Sequence, residues 1–215
     1  MGLIEEISEF LQKGRSKKVK ELVQKAMDEN MDPKVILNEG LLSGMMIVGA
    51  KFKNNEVFVP EVLVSARAMN AGLAILEPKL VEAGNEPVGR AVIGTVQGDL
   101  HDIGKNLVGM MFKGAGFEVC DMGVDVGADA FIDKAEEIGA DVIGMSALLS
   151  TTMPQMQECI RRLEERGLRE KYIVMIGGAP VTDDFAKEIG ADYYTPDAAS
   201  AAETARNAVM ARKSA

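Results

Sequence analysis

The sequence predicts an α/β protein in two parts, a helical bundle followed by a parallel sheet. Apolar residues recur at helical spacing up to residue 81, whereas short apolar runs alternate with helical segments after residue 90. The stretch EAGNEPVGR at 82–90 separates the two patterns and has the polar, glycine- and proline-containing composition of a linker. We therefore expect one domain at 1–87 and a second at 88–215.

Four apolar stripes predict the helices of the first domain, which we expect to form a four-helix bundle. They cover residues 3–11, 19–27, 36–48 and 62–76. Gly14 lies where the end of a helix favours glycine, and Asp32 followed by Pro33 predicts the N-cap and first residue of the third helix. The asparagine pair at 54–55 predicts a turn, and Pro60 opens the fourth helix.

Five short apolar runs predict the strands of the second domain. They are AVIGTV (91–96), FEVCDM (117–122), DVIGMS (141–146), YIVMIG (172–177) and DYYT (192–195). The phrase EIGAD occurs at 137–141 and at 188–192, where we interpret it as a helix end with a glycine cap followed by entry into the next strand. Five strands with intervening helices fit a flavodoxin/Rossmann-like sheet of order 2-1-3-4-5, which binds ligands beyond the carboxyl ends of its first and third strands.

Composition and charge exclude several classes of partner. A net charge of −9 opposes binding to nucleic acid or to an anionic membrane, and we interpret the basic run KGRSKKVK at 13–20 as solvated surface. Cys120 and Cys159 do not make a disulfide framework, and the sequence shows no secretory signal. No unbroken apolar run approaches the roughly 20 residues that span a bilayer. We expect a cytoplasmic protein with no nucleic-acid and no membrane partner.

The stretch GDLHDIG, which follows the first predicted strand, contains the only histidine of the chain, His101. The topology places it beside SALLSTTMPQM at 146–156, after the third strand. Gly98 and Gly104 allow the backbone to approach a bulky ligand. Asp99 and Asp102 offer carboxylates, of which Asp99 is the better partner for an imidazole that binds a metal.

Several kinds of site do not fit this loop. A zinc site needs three or more protein ligands, a serine hydrolase needs a nucleophile elbow, and a dinucleotide site needs G-x-G-x-x-G after the first strand. A phosphorelay receiver carries an aspartate at the end of the third strand, where this chain has Met145 and Ser146. A metal held by a macrocycle needs only one axial ligand from the protein, and a single histidine can supply it.

The loop resembles the D-x-H-x-x-G signature of cobalamin-binding domains. SALL at 146–149 is similar to their S-x-L element, and GGA at 177–179 is similar to their glycine pair. The helical half, including GLLSGMMIVGAKFKNNEVFVPEVLVSARAMNAGLAILEP, looks like the cap domain that precedes the corrinoid domain in methionine synthase. The whole chain resembles the small corrinoid proteins of anaerobic methyltransferase systems, which use methanol, methylamines or glycine betaine.

The resemblance implies a role for each matching residue. His101 would ligate cobalt in place of the cofactor's dimethylbenzimidazole, Asp99 would hydrogen-bond His101, and Thr152 would replace the serine that completes this triad in methionine synthase. The other residues implied to contact cobalamin are Gly98, Asp102, Ile103, Gly104, Ser146, Leu148, Ser150, Thr151, Gly177 and Gly178. Phe58 and either Met45 or Met46 are candidates to cover the upper, methyl face, although ordinary bundle core is the interpretation we favour for each of the three.

The resemblance also implies a methyl carrier rather than a stand-alone catalyst. Its partners would be a substrate-specific methyltransferase, a second methyltransferase acting on tetrahydrofolate or a thiol, and a reductive activation protein. A cobalamin-binding sensor or storage protein is the alternative. A transcription regulator would add a DNA-binding module, a mutase subunit would lack the helical cap, and a flavodoxin-like protein without a corrin remains a further alternative.

Overall fold

The computed structural model describes residues 2–82 and 86–214 and contains two compact units, Met1–Glu86 and Pro87–Ala215. From the sequence we expect the boundary between residues 87 and 88. Residues 83–85 of the predicted linker lie outside the described residues.

The first unit is helical over its described residues. Its helices are α1 (Leu3–Gln12), α2 (Ser16–Asp28), α3 (Pro33–Lys53) and α4 (Val59–Glu82). Gly14 follows α1 with φ +64°, and the Asp32 carboxylate caps α3 by accepting from the Lys34 N–H at 2.8 Å. Asn55 lies in the turn before α4 with φ +57°. The four predicted helices and their capping residues are confirmed.

Helix α3 contains a feature that the sequence does not predict. Its residues Ile36–Leu42 form a π-helical segment between two α-helical parts. Two glycines let α1 approach here, since an added Cβ would lie 3.1 Å from the Ile7 side chain at Gly40 and 3.1 Å from the Ser8 hydroxyl at Gly44. The wider turn changes the direction in which the following side chains face.

Two helices of this unit, Pro33–Lys53 and the Val59–Leu80 part of α4, are long and apolar enough to cross a membrane by length and composition alone. This measure applies to whole helices, whereas the expectation drawn from the sequence concerns unbroken apolar runs. Core helices of soluble proteins meet the same measure. Leu41, Met45 and Val62 of these helices are indeed buried within the bundle.

The second unit is a parallel sheet with the predicted strand order 2-1-3-4-5. Its strands are β1 (Arg90–Thr95), β2 (Glu118–Asp121), β3 (Val142–Ser146), β4 (Ile173–Gly177) and β5 (Tyr193–Tyr194). Its helices are α5 (Ile103–Gly114), α6 (Ala128–Ile138), α7 (Pro154–Glu165), α8 (Asp183–Ile189) and α9 (Ala198–Lys213). The predicted fold class is confirmed, and each EIGAD glycine, Gly139 and Gly190, ends its helix in the left-handed conformation.

The core of this unit lies against the central strands, whose apolar side chains are buried on both faces. Val92, Ile143 and Val174 belong to one cluster with Phe131 of α6 and Leu163 of α7. The register then aligns the carboxyl ends of the three central strands. Thr95 is opposite Ser146, and Ser146 is opposite Gly177. The loops that leave these residues therefore meet at one edge of the sheet.

Candidate functional site

The histidine loop, residues 96–102, connects β1 to α5. It begins with a tight turn in which the Asp99 N–H donates to the Val96 carbonyl at 3.1 Å. Gly98 occupies the third position of this turn with φ +82°, which favours glycine. The turn lets the next residue, Asp99, face inward, and its side chain is fully buried.

The Asp99 carboxylate accepts hydrogen bonds from two loops. Oδ1 accepts from His101 Nδ1 at 2.7 Å and from the His101 backbone N–H at 3.1 Å. Oδ2 accepts from the backbone N–H groups of Leu148 and Leu149 at 2.7 and 3.2 Å, and from the Thr152 hydroxyl at 3.0 Å. Burial raises the pKa of Asp99, but these donors outweigh it and hold that pKa well below its ordinary value. Asp99 is therefore an anion at neutral pH.

Thr152 reaches the site from the loop after β3. Its side chain is buried, and its hydroxyl also lies 2.8 Å from the Leu149 carbonyl. A hydroxyl has one proton, so it can donate to Asp99 or to Leu149 but not to both at once. The threonine methyl group faces Gly98, where an added Cβ would lie 3.5 Å from it. The structure thus brings His101, Asp99 and Thr152 together.

His101 presents one ring nitrogen for other uses. Because the ionised Asp99 can only accept, Nδ1 must carry a proton, and in the neutral ring Nε2 then has a free lone pair. The described part of the chain provides no hydrogen-bond partner for Nε2, and the side chain is 52% exposed. Among the described residues, no group of three or more His, Cys, Asp or Glu side chains could hold a metal ion. The site therefore offers a single nitrogen ligand.

Exposed apolar side chains lie close to His101 in the sequence and at the start of the loop after β3. Leu100 and Ile103 flank His101 and are 72% and 75% exposed, while Leu148 and Leu149 are 44% and 41% exposed. Large apolar side chains at such exposure indicate a binding surface. Ile103 and Leu148 are among the predicted contacts, whereas Leu100 and Leu149 are not, although LHDI in the sequence already shows apolar residues on both sides of the histidine.

Two further residues that the sequence does not predict hold the backbone near the site. Thr95 is fully buried at the end of β1, and its hydroxyl donates to the His101 carbonyl at 2.7 Å. Lys105, in the first turn of α5, is only 4% exposed and donates to both oxygens of Asp121 at 2.5 Å and to Asn106 at 2.6 Å. The lysine ties the start of α5 to the end of β2.

Comparison with known families shows which family the chain belongs to. Residues 89–205 match a family model described as the B12 binding domain, and residues 3–77 match a second model with the same description. The chain belongs to the B12-binding corrinoid proteins. Its cofactor is a corrinoid, which contains cobalt, as the D-x-H-x-x-G resemblance implies.

Individual corrinoid proteins are similar over nearly the whole chain. A corrinoid protein of Desulfitobacterium hafniense is 46% identical over 208 residues, which cover 95% of this chain and 96% of that protein. Dimethylamine corrinoid protein 3 of Methanosarcina acetivorans is 42% identical, with 97% and 98% covered. A chain in the crystal structure of the methanol:cobalamin methyltransferase complex of Methanosarcina barkeri has a TM-score of 0.86 and 29% identity, with 97% and 80% covered. These similarities place the chain among corrinoid proteins of methyltransferase systems.

The residues of the histidine loop fit a corrinoid cofactor. A corrin already supplies the equatorial ligands of its cobalt, so one imidazole suffices as the protein's ligand. The Nε2 lone pair of His101 meets that need, and the exposed apolar side chains beside it suit a broad, flat ligand. At Gly104 an added Cβ would meet nothing within 4 Å, so the chain itself leaves open space there.

The glycine pair of the corrinoid protein lies at the end of β4. Gly178 has φ +131°, and an added Cβ would lie 1.8 Å from the Ala147 carbonyl oxygen, so no side chain fits. At Gly177 the nearest atom to an added Cβ is 3.9 Å away. The backbone of the two loops is thus in direct contact, and the Ala147 N–H donates to the Gly177 carbonyl at 3.1 Å.

The other predicted contacts differ in how far the structure exposes them. Ser150 and Thr151 are exposed, Ser146 is half-buried, and Asp102 accepts from the Asn106 side chain at 3.0 Å. In the helical unit Phe58 and Met46 are 64% and 54% exposed. Met45 is buried in the bundle core, so for this methionine the core alternative holds.

Proposed function

We propose that this protein is a corrinoid methyl carrier that binds cobalamin with its own base displaced and His101 in its place. It takes a methyl group from a substrate-specific methyltransferase and gives it to a second methyltransferase acting on tetrahydrofolate or a thiol. The observation that carries the proposal is the pair of Asp99 and His101, a buried anion that fixes a half-exposed imidazole with Nε2 free. The relatives named for dimethylamine and methanol systems support the methyltransferase partners.

Within this proposal, His101 would ligate cobalt through Nε2, and the corrinoid, when bound, supplies a cobalt centre that accepts and releases a methyl group. The imidazole ligates only while neutral, since the imidazolium has no lone pair to offer. A proton arriving at Nε2 therefore releases the ligand. Asp99 Oδ1 accepts from Nδ1 in both forms of the ring.

The other donors to Asp99 would keep the anion in place during this exchange. Leu148 and Leu149 donate from the backbone, and Thr152 donates from its hydroxyl, so Oδ2 stays bound whatever the state of the ring. The proton on Nδ1 also stays on the ring, since Oδ1 acts only as the acceptor of its hydrogen bond. The exchange is thus confined to Nε2 of His101.

The remaining assignments extend the same proposal. We assign 1–87 as the cap domain and 88–215 as the cobalamin-binding domain, and we expect a reductive activation protein as a third partner. We expect the protein to be soluble and cytoplasmic, with no nucleic-acid or membrane partner. Phe58 is proposed as a contact from the cap domain. The predicted site residues of the second domain are proposed to line the cofactor site: Gly98, Asp99, His101, Asp102, Ile103, Gly104, Ser146, Leu148, Ser150, Thr151, Thr152, Gly177 and Gly178.

A methyl-loading assay tests the carrier. The protein is loaded with cobalamin, reduced anaerobically, and incubated with purified methyltransferases for methanol, for each methylamine and for glycine betaine, each with its methyl donor. A carrier gains about one methyl group per cobalt with one of these enzymes and loses it when the acceptor enzyme and acceptor are added. A sensor or storage protein retains cobalamin and gains no methyl group with any of them, which would contradict the proposal.

A further inference from the structure

The loop between β2 and α6, residues 122–127, runs along the histidine loop on the side away from β3. The backbone N–H of Thr95 donates to the Gly123 carbonyl at 3.0 Å, and the Val126 N–H donates to the Thr95 carbonyl at 3.0 Å. Between these contacts lies Asp125. This residue makes two further hydrogen bonds, both to the turn that carries Asp99.

Asp125 hydrogen-bonds to the backbone of two successive residues of that turn. Its backbone N–H donates to the Asp99 carbonyl at 3.1 Å, and its carboxylate Oδ1 accepts from the Gly98 N–H at 2.7 Å. Its φ is +56°, the left-handed conformation that most side chains avoid and that Asp and Asn tolerate best after glycine. This conformation lets one residue offer both a donor and an acceptor to the same turn.

The histidine loop is therefore held from both sides. The loop after β3 holds the Asp99 side chain through Leu148, Leu149 and Thr152, whereas Asp125 holds the Asp99 main chain. The orientation of the His101 ring depends on where Asp99 Oδ1 lies. A shift of the Asp99 backbone would move that oxygen and the ring with it.

We propose that Asp125 is a positioning residue for the axial ligand, and that its hydrogen bonds to Gly98 and Asp99 set the orientation in which His101 presents Nε2. This inference rests on the proposed ligation of cobalt by His101. None of the described hydrogen bonds of Asp125 reaches His101 itself, so the effect passes through the turn.

Three substitutions separate the parts of this interaction. Asp125→Asn keeps an acceptor oxygen and tolerates the left-handed conformation, so it should behave as the unmodified protein. Asp125→Gly keeps the conformation and removes the acceptor. Asp125→Ala removes the acceptor and adds strain. Asp133→Ala is the matched control, because Asp133 is an exposed carboxylate of α6 that contacts Arg166 and not the loop.

The first measurement needs no cofactor. His101 is the only histidine, so ¹⁵N-histidine labels one imidazole, and ¹H–¹⁵N spectra of the apoprotein report which ring nitrogen carries the proton. We expect the Nδ1–H form in the unmodified, Asp125→Asn and Asp133→Ala proteins. In Asp125→Gly the ratio of Nδ1–H to Nε2–H forms should fall about fivefold, as for the loss of one hydrogen bond, and further in Asp125→Ala.

The second measurement uses the cobalamin-loaded, Co(II) protein. Its electron paramagnetic resonance spectrum reports how much of the cobalt carries an axial imidazole nitrogen. In Asp125→Gly the ratio of cobalt with this nitrogen to cobalt without it should fall about fivefold, while the cobalt content is retained. Tautomer and ligation ratios in Asp125→Gly equal to those of the unmodified protein would overturn the inference. If the unmodified protein shows no His101 nitrogen on cobalt, the proposed function fails instead, and the apoprotein spectra still decide whether Asp125 orients the ring.

Discussion

Replacing Asp99 by Asn changes one atom in the centre of the site and should move the proton of the neutral His101 ring from Nδ1 to Nε2. Oδ2 accepts from three donors, so the single amide oxygen of Asn takes that place, and its NH₂ group then faces His101. The ring must accept at Nδ1, which puts its proton on Nε2. His101 can then no longer ligate a metal through Nε2.

The same substitution has a cost that the structure allows us to estimate. One donor, the His101 backbone N–H, loses its acceptor Oδ1, and the other four hydrogen bonds become bonds between neutral groups. At about 1.5 kcal/mol for the lost bond and about 0.5 kcal/mol for the charge lost from each of the others, the free energy of unfolding should fall by roughly 3 kcal/mol. The His101 side chain is 52% exposed and its ring can turn, so larger losses are not expected.

Urea unfolding of the apoprotein, followed by circular dichroism, measures this loss, and ¹H–¹⁵N spectra of the labelled histidine measure the proton position. Asp133→Asn serves as the control, since Asp133 is an exposed carboxylate of α6 that pairs with Arg166, away from the histidine loop. An Asp99→Asn protein that keeps the Nδ1–H form, or that is as stable as the unmodified protein, would refute the reasoning.

Three other predictions follow from the same geometry. Because the pKa of Asp99 in the folded state is below its unfolded value of about 3.9, its contribution to stability is present above pH 4 and is lost as the pH falls toward the folded-state pKa. Unfolding measured at a series of acid pH values should show this loss of stability. The Asp99→Asn protein should lack this pH-dependent contribution. Gly178→Ala should destabilise the apoprotein by about 3 kcal/mol or more in urea unfolding, because no side chain fits there. Gly104→Ala should leave the apoprotein as stable as before or more stable by about 0.5–1 kcal/mol, because the added Cβ meets open space. The same Gly104→Ala substitution should lower the amount of cobalamin that the protein retains. Asp121→Ala should lower the free energy of unfolding by about 3 kcal/mol, because it leaves the buried Lys105 charge without its carboxylate. Lys105→Met leaves no buried charge and should lower the free energy of unfolding by only about 1 kcal/mol. Equal losses in the two variants would contradict the assignment of Lys105 as buried.

Much of the second unit could be predicted because its signals are local. Strands buried on both faces must be continuously apolar, and helices that turn back into a sheet need a left-handed residue, which Gly139 and Gly190 supply. The position of the site followed from the strand order, since parallel strands end at one edge and the order reverses between β1 and β3.

Other features could not be predicted, because their causes are remote in the sequence or leave no trace in it. Backbone N–H groups donate to Asp99 from Leu148 and Leu149, and any residue type offers such a donor. A lysine beside a polar loop is usually solvated, and Lys105 is buried only because the parallel pairing brings Asp121 beside it.

The two methionines of α3 illustrate how helical geometry limits sequence interpretation. Met45 and Met46 are adjacent, yet Met45 is 1% exposed and Met46 is 54% exposed. Which one faces the core depends on the phase of the helix, and the π-helical segment Ile36–Leu42 shifts that phase just before them. A pattern read at 3.6 residues per turn cannot anticipate that shift.

The central claim is that His101 ligates the cobalt of a bound corrinoid, and isotope labelling tests it most directly. The protein is produced without a histidine tag, once with ordinary and once with ¹⁵N-labelled histidine, loaded with cobalamin and poised as Co(II). We predict cobalt at about one per chain and axial nitrogen splitting that changes from a triplet to a doublet on labelling, because His101 is the only histidine. A splitting that stays a triplet with labelled histidine would show that the cofactor's own base remains bound and would contradict the account.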